Sequence, residues 1–187
     1  MKTEHALARA LKEMMASQPL DTISVIDLSN KCDVSRKTFY YHYHDIYDLL
    51  TQVFLDEKML ANPNINSLDE LVELVWKYYK ENEMFVNATL SSAGKDLFVE
   101  YIYNSFYTTC MKIVLHNDEN KVLHLNTRKH IARFYASGYS NSIVYYLSNY
   151  KNKSLEGLKQ CFMFLNNQNI EKSVQKAIKM SENVKKL

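Results

Sequence analysis

The sequence predicts an all-α fold of about nine to ten helices. Three observations carry that expectation. Apolar residues recur at i, i+3 and i+4 along nearly all of the 187 residues, the stripe that a helix buries. Glycine and proline number only 3 and 2, too few for the turns of a sandwich or barrel. No segment reads convincingly as a strand.

The first helix carries Ala6, Leu7, Ala10, Leu11, Met14 and Met15 on one stripe, with Thr3 placed to cap its start. Gln18-Pro19 ends it, because the residue before proline is pushed out of the helical region. Ser24-x-x-Asp27 is the capping box of a short second helix running to about Cys32. Asp33-Val34-Ser35 is a tight break, and Ser35 caps a third helix, Arg36 to about Tyr43. Asp45-x-x-Asp48 starts a fourth, with Ile46, Leu49, Leu50, Val53 and Phe54 on its apolar face. The stretch 61–67 around Pro63 is the clearest break in composition, and it divides the chain into units 1–60 and 61–187. A fifth helix carries Leu68, Leu71, Val72, Val75 and Tyr79, and residues 84–92 form a sixth. Two long helices follow, one through Leu97 to Val114 and one through Ile131 to about Tyr150. Helices at 155–166 and 169–184 complete the set.

Several function classes are excluded at this level. With so few glycines there is no glycine-rich phosphate loop. The longest apolar runs fall well short of the ~18 residues of a membrane span, and the charged N-terminus is not a secretion signal, so a cytoplasmic protein is expected. Cys32, Cys110 and Cys161 are far apart and odd in number, so neither a disulfide framework nor a structural zinc site is expected. His116, His124, His130 and Cys110 offer no catalytic or metal-ligating spacing, and neither an enzyme, a metal nor a cofactor is expected. Net charge is +2, unevenly spread: residues 1–60 hold 7 basic and 9 acidic residues, while 151–187 hold 8 and 3. Nucleic-acid binding would therefore rest on a local patch.

Three short helices with a tight turn between the second and third have the form of a helix-turn-helix. On the third helix Phe39 and Tyr43 face inward with Val34, which leaves Arg36, Lys37, Thr38, Tyr41 and His42 outward and Tyr40 at the edge. Such a helix suits a major groove: Arg36 fits guanine, and Thr38 and Tyr41 fit a thymine methyl. Segment 22–50 strongly resembles the N-terminal DNA-binding domain of TetR-family transcriptional regulators. The resemblance rests on Ser24, on Val34-Ser35, on Thr38-Phe39-Tyr40-x-His42-Tyr43, and on Asp48-Leu49-Leu50 at the right distance. It is closest to a Gram-positive subgroup that includes dihydroxyacetone kinase regulators. It implies a DNA-binding surface of Ser24, Ser35, Arg36, Lys37, Thr38, Tyr40, Tyr41 and His42. Within it Tyr40, His42, Ser24 and the first amides of the second and fourth helices would hold phosphates.

Three positions depart from the family pattern. Asp33 replaces the usual turn glycine, Ile46 an early lysine, and Val25-Ile26-Asp27 a basic start of the second helix. Each missing phosphate contact lowers the salt slope of binding by nearly 1, with His44 a partial substitute. DNA binding weaker than usual, or a co-activator or interaction module that relies on a partner chain, is the alternative implied.

The second unit is rich in aromatic residues. The resemblance implies a pocket there for a small-molecule effector, with Trp76, Tyr79, Tyr101, Phe106 and Tyr135 as candidate lining residues, although aromatic residues at helical spacing also build plain cores. It further implies a homodimer through residues 128–150 and 155–166, with Gly138, Ser142, Tyr145 and Phe162 at the interface. A helix-interior glycine costs roughly 1 kcal/mol against alanine, which a close approach across a twofold axis, or within the monomer, would justify. Duplex operator DNA and a second copy of the chain are thus the expected partners, and no membrane is.

Overall fold

The computed structural model describes residues 2–57 and 64–184. Among these residues there are ten α-helices, one short 3-10 turn and no strand. The helices are α1 (Lys2–Met15), α2 (Val25–Lys31), α3 (Arg36–His42), α4 (Ile46–Asp56), α5 (Leu68–Glu81), α6 (Glu83–Leu90), α7 (Lys95–Asn117), α8 (Leu125–Asn149), α9 (Leu155–Gln160) and α10 (Asn167–Val184). No helix among them is long and apolar enough to cross a membrane.

The chain divides into two compact units, Met1–Met59 with Tyr78–Tyr101, and Leu60–Lys77 with Ile102–Leu187. The composition break does not reveal that residues 78–101 pack with the N-terminal segment. Of that break, residues 61–63 lie outside the described part of the structure.

In the first unit α1 packs on α2, α4 and α6, and α2 packs on α3. Leu7, Leu11, Met15, Leu28, Phe39, Leu49, Leu50 and Phe54 form its core. Phe54 meets Phe85 at 5.6 Å, Phe98 at 5.7 Å and Tyr101 at 5.2 Å between ring centroids, which explains why 78–101 belong here. At Gly94 a Cβ would stand 2.7 Å from a Leu50 methyl, so a side chain at the turn into α7 would have to push that core methyl aside. Helix α1 is already under way at Lys2, so Thr3 sits in its first turn and does not cap it.

In the second unit α8 packs on α10. Phe106, Tyr139 and Phe162 stack in series, at 5.0 and 4.5 Å between centroids. This stack shortens the ninth helix, which stops at Gln160 instead of running to 166. Turning Phe162 inward takes the backbone out of the helix, and the carbonyl of Leu165 then accepts from the Tyr139 hydroxyl. The α7–α8 connection is tied by Asp118, buried beside Arg128.

Candidate nucleic-acid interface

The turn between α2 and α3 forms as its sequence requires. Asp33 takes φ 51°, the left-handed region that glycine occupies without strain, and Val34 N–H donates to the Ser29 carbonyl. An L-residue loses about 1–2 kcal/mol there, less for Asp, while a glycine costs about 0.4–1 kcal/mol through the unfolded chain. Asp33→Gly is therefore expected to change stability little, gaining at most about 0.5 kcal/mol by those same terms. Lys121, at φ 53° with no such tolerance, should gain more from Lys121→Gly. Paired thermal melts of the two variants check the order.

Ser35 caps α3: the Thr38 amide donates to its Oγ at 3.0 Å, and the two hydroxyls are 2.8 Å apart. Phe39 and Tyr43 are buried and Val34 half-buried, as the inward face requires. The outward face carries Arg36, Lys37, Tyr40 and Tyr41, with Tyr41 85% exposed. Among the described residues no ion pair or hydrogen bond holds the Arg36 or Lys37 side chain. These four groups stand together with cationic, hydroxyl and aromatic chemistry available to a groove.

The remaining predicted residues are engaged differently. His42 lies half-buried with Nδ1 3.3 Å from a Glu4 carboxylate oxygen on α1. Thr38 is half-buried and its hydroxyl is shared with Ser35. Ser24 is consumed by its capping box: its Oγ accepts from Asp27 N–H and donates to the Asp27 carboxylate at 2.5 Å. That hydroxyl and the Ser24 amide hold the Asp27 carboxyl below its ordinary range. At α4, Asp45 accepts from Asp48 N–H at 2.8 Å, and Asp48 accepts from His44 N–H. The ring of His44 stands 3.3 Å from Asp45. Both helix starts expected to receive phosphate therefore already hold carboxylates. The sequence did not reveal Tyr47, whose hydroxyl donates to Asp21 at 2.8 Å and ties the start of α4 to the 3-10 turn. Only the pairing of a tyrosine and an aspartate 26 positions apart could have signalled it.

In the second unit an open groove of about 620 Å³ is lined by His130, Arg133, Phe134, Tyr135, Ser137, Gly138 and Leu165. Phe134 is 74% and Tyr145 63% exposed on the same helix. A Cβ at Gly138 would meet nothing within 4 Å, so no contact among the described residues requires that glycine. Ser142 is half-buried. Phe162 is not on this surface, being 5% exposed under Tyr139. Phe164, two residues on, is 80% exposed.

The candidate effector residues are mostly committed to packing. In the first unit Tyr79 is buried with its hydroxyl toward Glu83, and Tyr101 stacks on Phe54. In the second, Phe106 stacks on Tyr139, Tyr135 bonds the Asn169 carbonyl, and Trp76 is half-buried. No group of three or more metal-ligating side chains occurs among the described residues.

Comparison with known proteins places these features. Residues 66–168, over half of the chain, match the family TetR_C_8, described as a transcriptional regulator C-terminal region. The HTH-type dhaKLM operon transcriptional activator DhaS of Lactococcus lactis subsp. lactis (strain IL1403) is 31% identical over 87 residues, 44% of this chain and 46% of the relative. The matching stretch thus spans about half the length of that curated relative. The solved structure of a dihydroxyacetone kinase operon activator DhaS superposes with a TM-score of 0.59 at 21% identity, covering 95% of this chain and 97% of that one. That likeness is one of fold.

Proposed function

The chain belongs to the TetR family of transcriptional regulators, and on that premise we propose that it is a sequence-specific DNA-binding regulator that works as a homodimer. Its relatives are transcriptional regulators, not enzymes. The observation that carries the reading is the outward face of α3. Arg36 and Lys37 are exposed beside Tyr40 and Tyr41 on a helix fixed by a serine cap and two buried rings. Arg36 and Tyr41 read bases; Lys37 and Tyr40 bind phosphate. Retention of duplex DNA from upstream of the protein's own coding sequence, against scrambled duplex, tests it.

The carboxylate caps of α2 and α4 support a second reading, in which DNA affinity is low and a partner chain supplies the missing contacts. Asp27, Asp45 and Asp48 stand where phosphates would approach, and like charge there subtracts from binding. Asp27→Asn separates the readings. It should raise affinity for any duplex severalfold if DNA passes α2, and leave affinity unchanged if α2 faces away from DNA.

Dimerisation uses the α8 face. Recognition helices reach successive half-sites only when paired, about 34–36 Å apart. The exposed Phe134 and Tyr145, and a glycine that no contact among the described residues requires, support this face as the contact. Gly138→Ala should raise the stability of the isolated monomer by up to about 1 kcal/mol through helix propensity. It should also weaken self-association, read by sedimentation equilibrium. Unchanged association would remove Gly138 from the interface. A small-molecule effector remains part of this reading, and it would enter by displacing one of the packed aromatic rings named above.

A further inference from the structure

His42 closes α3 with its two ring nitrogens in different surroundings. Nδ1 stands 3.3 Å from a Glu4 carboxylate oxygen on α1. Nε2 has no partner among the described residues and is not a buried atom, so it meets solvent. The ring of Tyr41, exposed on the outward face of α3, stands at near right angles to the His42 ring, 5.1 Å between centroids. His42 thus adjoins the surface proposed to meet DNA. Other charged groups at this end of α3 are carboxylates of α1 and α4. Burial, and after it Glu4, Asp56 and Asp48, push the Tyr43 phenol up to about 12. Asp56 stands 3.8 Å from His5, and Asp45 3.3 Å from His44. No charged group of α2, which also packs on α3, pairs with His42.

We propose that Glu4 is a positioning residue for DNA binding: it holds the proton of neutral His42 on Nδ1, so that His42 grips a phosphate only by taking up a second proton at Nε2. The contact rests on the reading that α3 meets DNA. Neutral imidazole has a single N–H, and a carboxylate within reach draws it to the nitrogen that it faces. Nε2 is then a lone pair, which repels a phosphate oxygen. The imidazolium donates from both nitrogens, Nδ1–H to Glu4 and Nε2–H to the phosphate. One proton from solvent enters with the contact. DNA binding therefore tightens as pH falls, by at most about tenfold per pH unit for one proton.

Two measurements on the full chain test it. Long-range proton–nitrogen NMR of the free protein reads the tautomer without DNA. Neutral His42 should carry its proton on Nδ1, and Glu4→Ala should move it largely to Nε2. Anisotropy with duplex DNA at low salt reads the contact. A phosphate contact is blind to sequence, so native and scrambled duplex serve alike. From about pH 8 to about pH 6, the span in which histidines titrate, the parent should tighten about threefold or more beyond His42→Ala. At the upper pH the two should bind alike. Glu4→Ala should bind about threefold tighter than the parent at the upper pH and lose more than half of the pH dependence, because Nε2–H then donates without proton uptake. In the His42→Ala background the same substitution should leave the pH profile unchanged. His44→Ala, the control for the neighbouring histidine, should leave the difference between parent and His42→Ala in place. A proton on Nε2 in the parent, or equal pH dependence of parent, Glu4→Ala and His42→Ala, overturns the role of Glu4 and leaves the DNA-binding reading intact. No binding to either duplex at either pH refutes that reading, and the contact with it, whatever the tautomer.

Discussion

Asp118→Ala is expected to destabilise the second unit by about 3–5 kcal/mol, the cost of removing one partner from a buried ion pair. Asp118 is almost fully buried at the α7–α8 connection. It accepts from Arg128 Nε at 2.7 Å and from the amides of Val122 and Leu123 at 2.9 and 3.2 Å. Arg128 already has one buried nitrogen, Nη2, without a partner. Removing the carboxylate strands the whole guanidinium as an unpaired charge. Against a total stability of about 5–15 kcal/mol this is a large fraction. An apolar replacement of both, Asp118→Leu with Arg128→Met, should recover only part of the loss. It removes the stranded charge but still leaves two amides without acceptors, each worth about 1–3 kcal/mol when buried. Urea denaturation of the single and double variants checks the order. Equal stability of Asp118→Ala and the parent would show that the loop is held by other means.

Arg36→Ala is expected to remove most sequence discrimination while leaving self-association intact. Arg36 is exposed at the first position of α3, past the Ser35 cap. It contributes nothing to the core, so the fold should not notice its loss. A bidentate arginine–guanine contact is worth about 1–3 kcal/mol of discrimination, which is roughly five- to 150-fold in the specificity ratio. Lys37→Ala should act differently, weakening binding to all duplexes alike and lowering the salt slope by about 1. The contrast between the two neighbours separates base reading from phosphate holding. Retained discrimination by Arg36→Ala would refute its role.

The features legible in the sequence were those governed by neighbours a few positions apart. Ser24, Ser35 and Asp45 each cap the helix they were expected to cap, because capping joins residues three apart. The inward turn of Phe39 and Tyr43 follows from helical spacing alone. What was illegible depended on distant partners. His42 faces Glu4, and Tyr47 reaches Asp21. Phe162 leaves the ninth helix because Tyr139 offers a ring to stack on, 23 positions earlier. Residues 78–101 join the first unit because Phe85 and Phe98 flank Phe54. In the candidate site, outward residues could be read from the helix face. The internal use of the Ser24 and Thr38 hydroxyls could not, since a capping serine and a phosphate-binding serine have the same sequence signature.

The most direct test is fluorescence anisotropy of the full chain with duplex DNA from upstream of its own coding sequence, against scrambled duplex, over a salt series. The α3 face predicts tighter binding to the native duplex at every salt concentration. It also predicts a salt slope shallower than that of a family member with basic residues at the starts of α2 and α4, because carboxylates stand there instead. Equal binding to native and scrambled duplex, or none at low salt, would contradict a self-sufficient DNA reader.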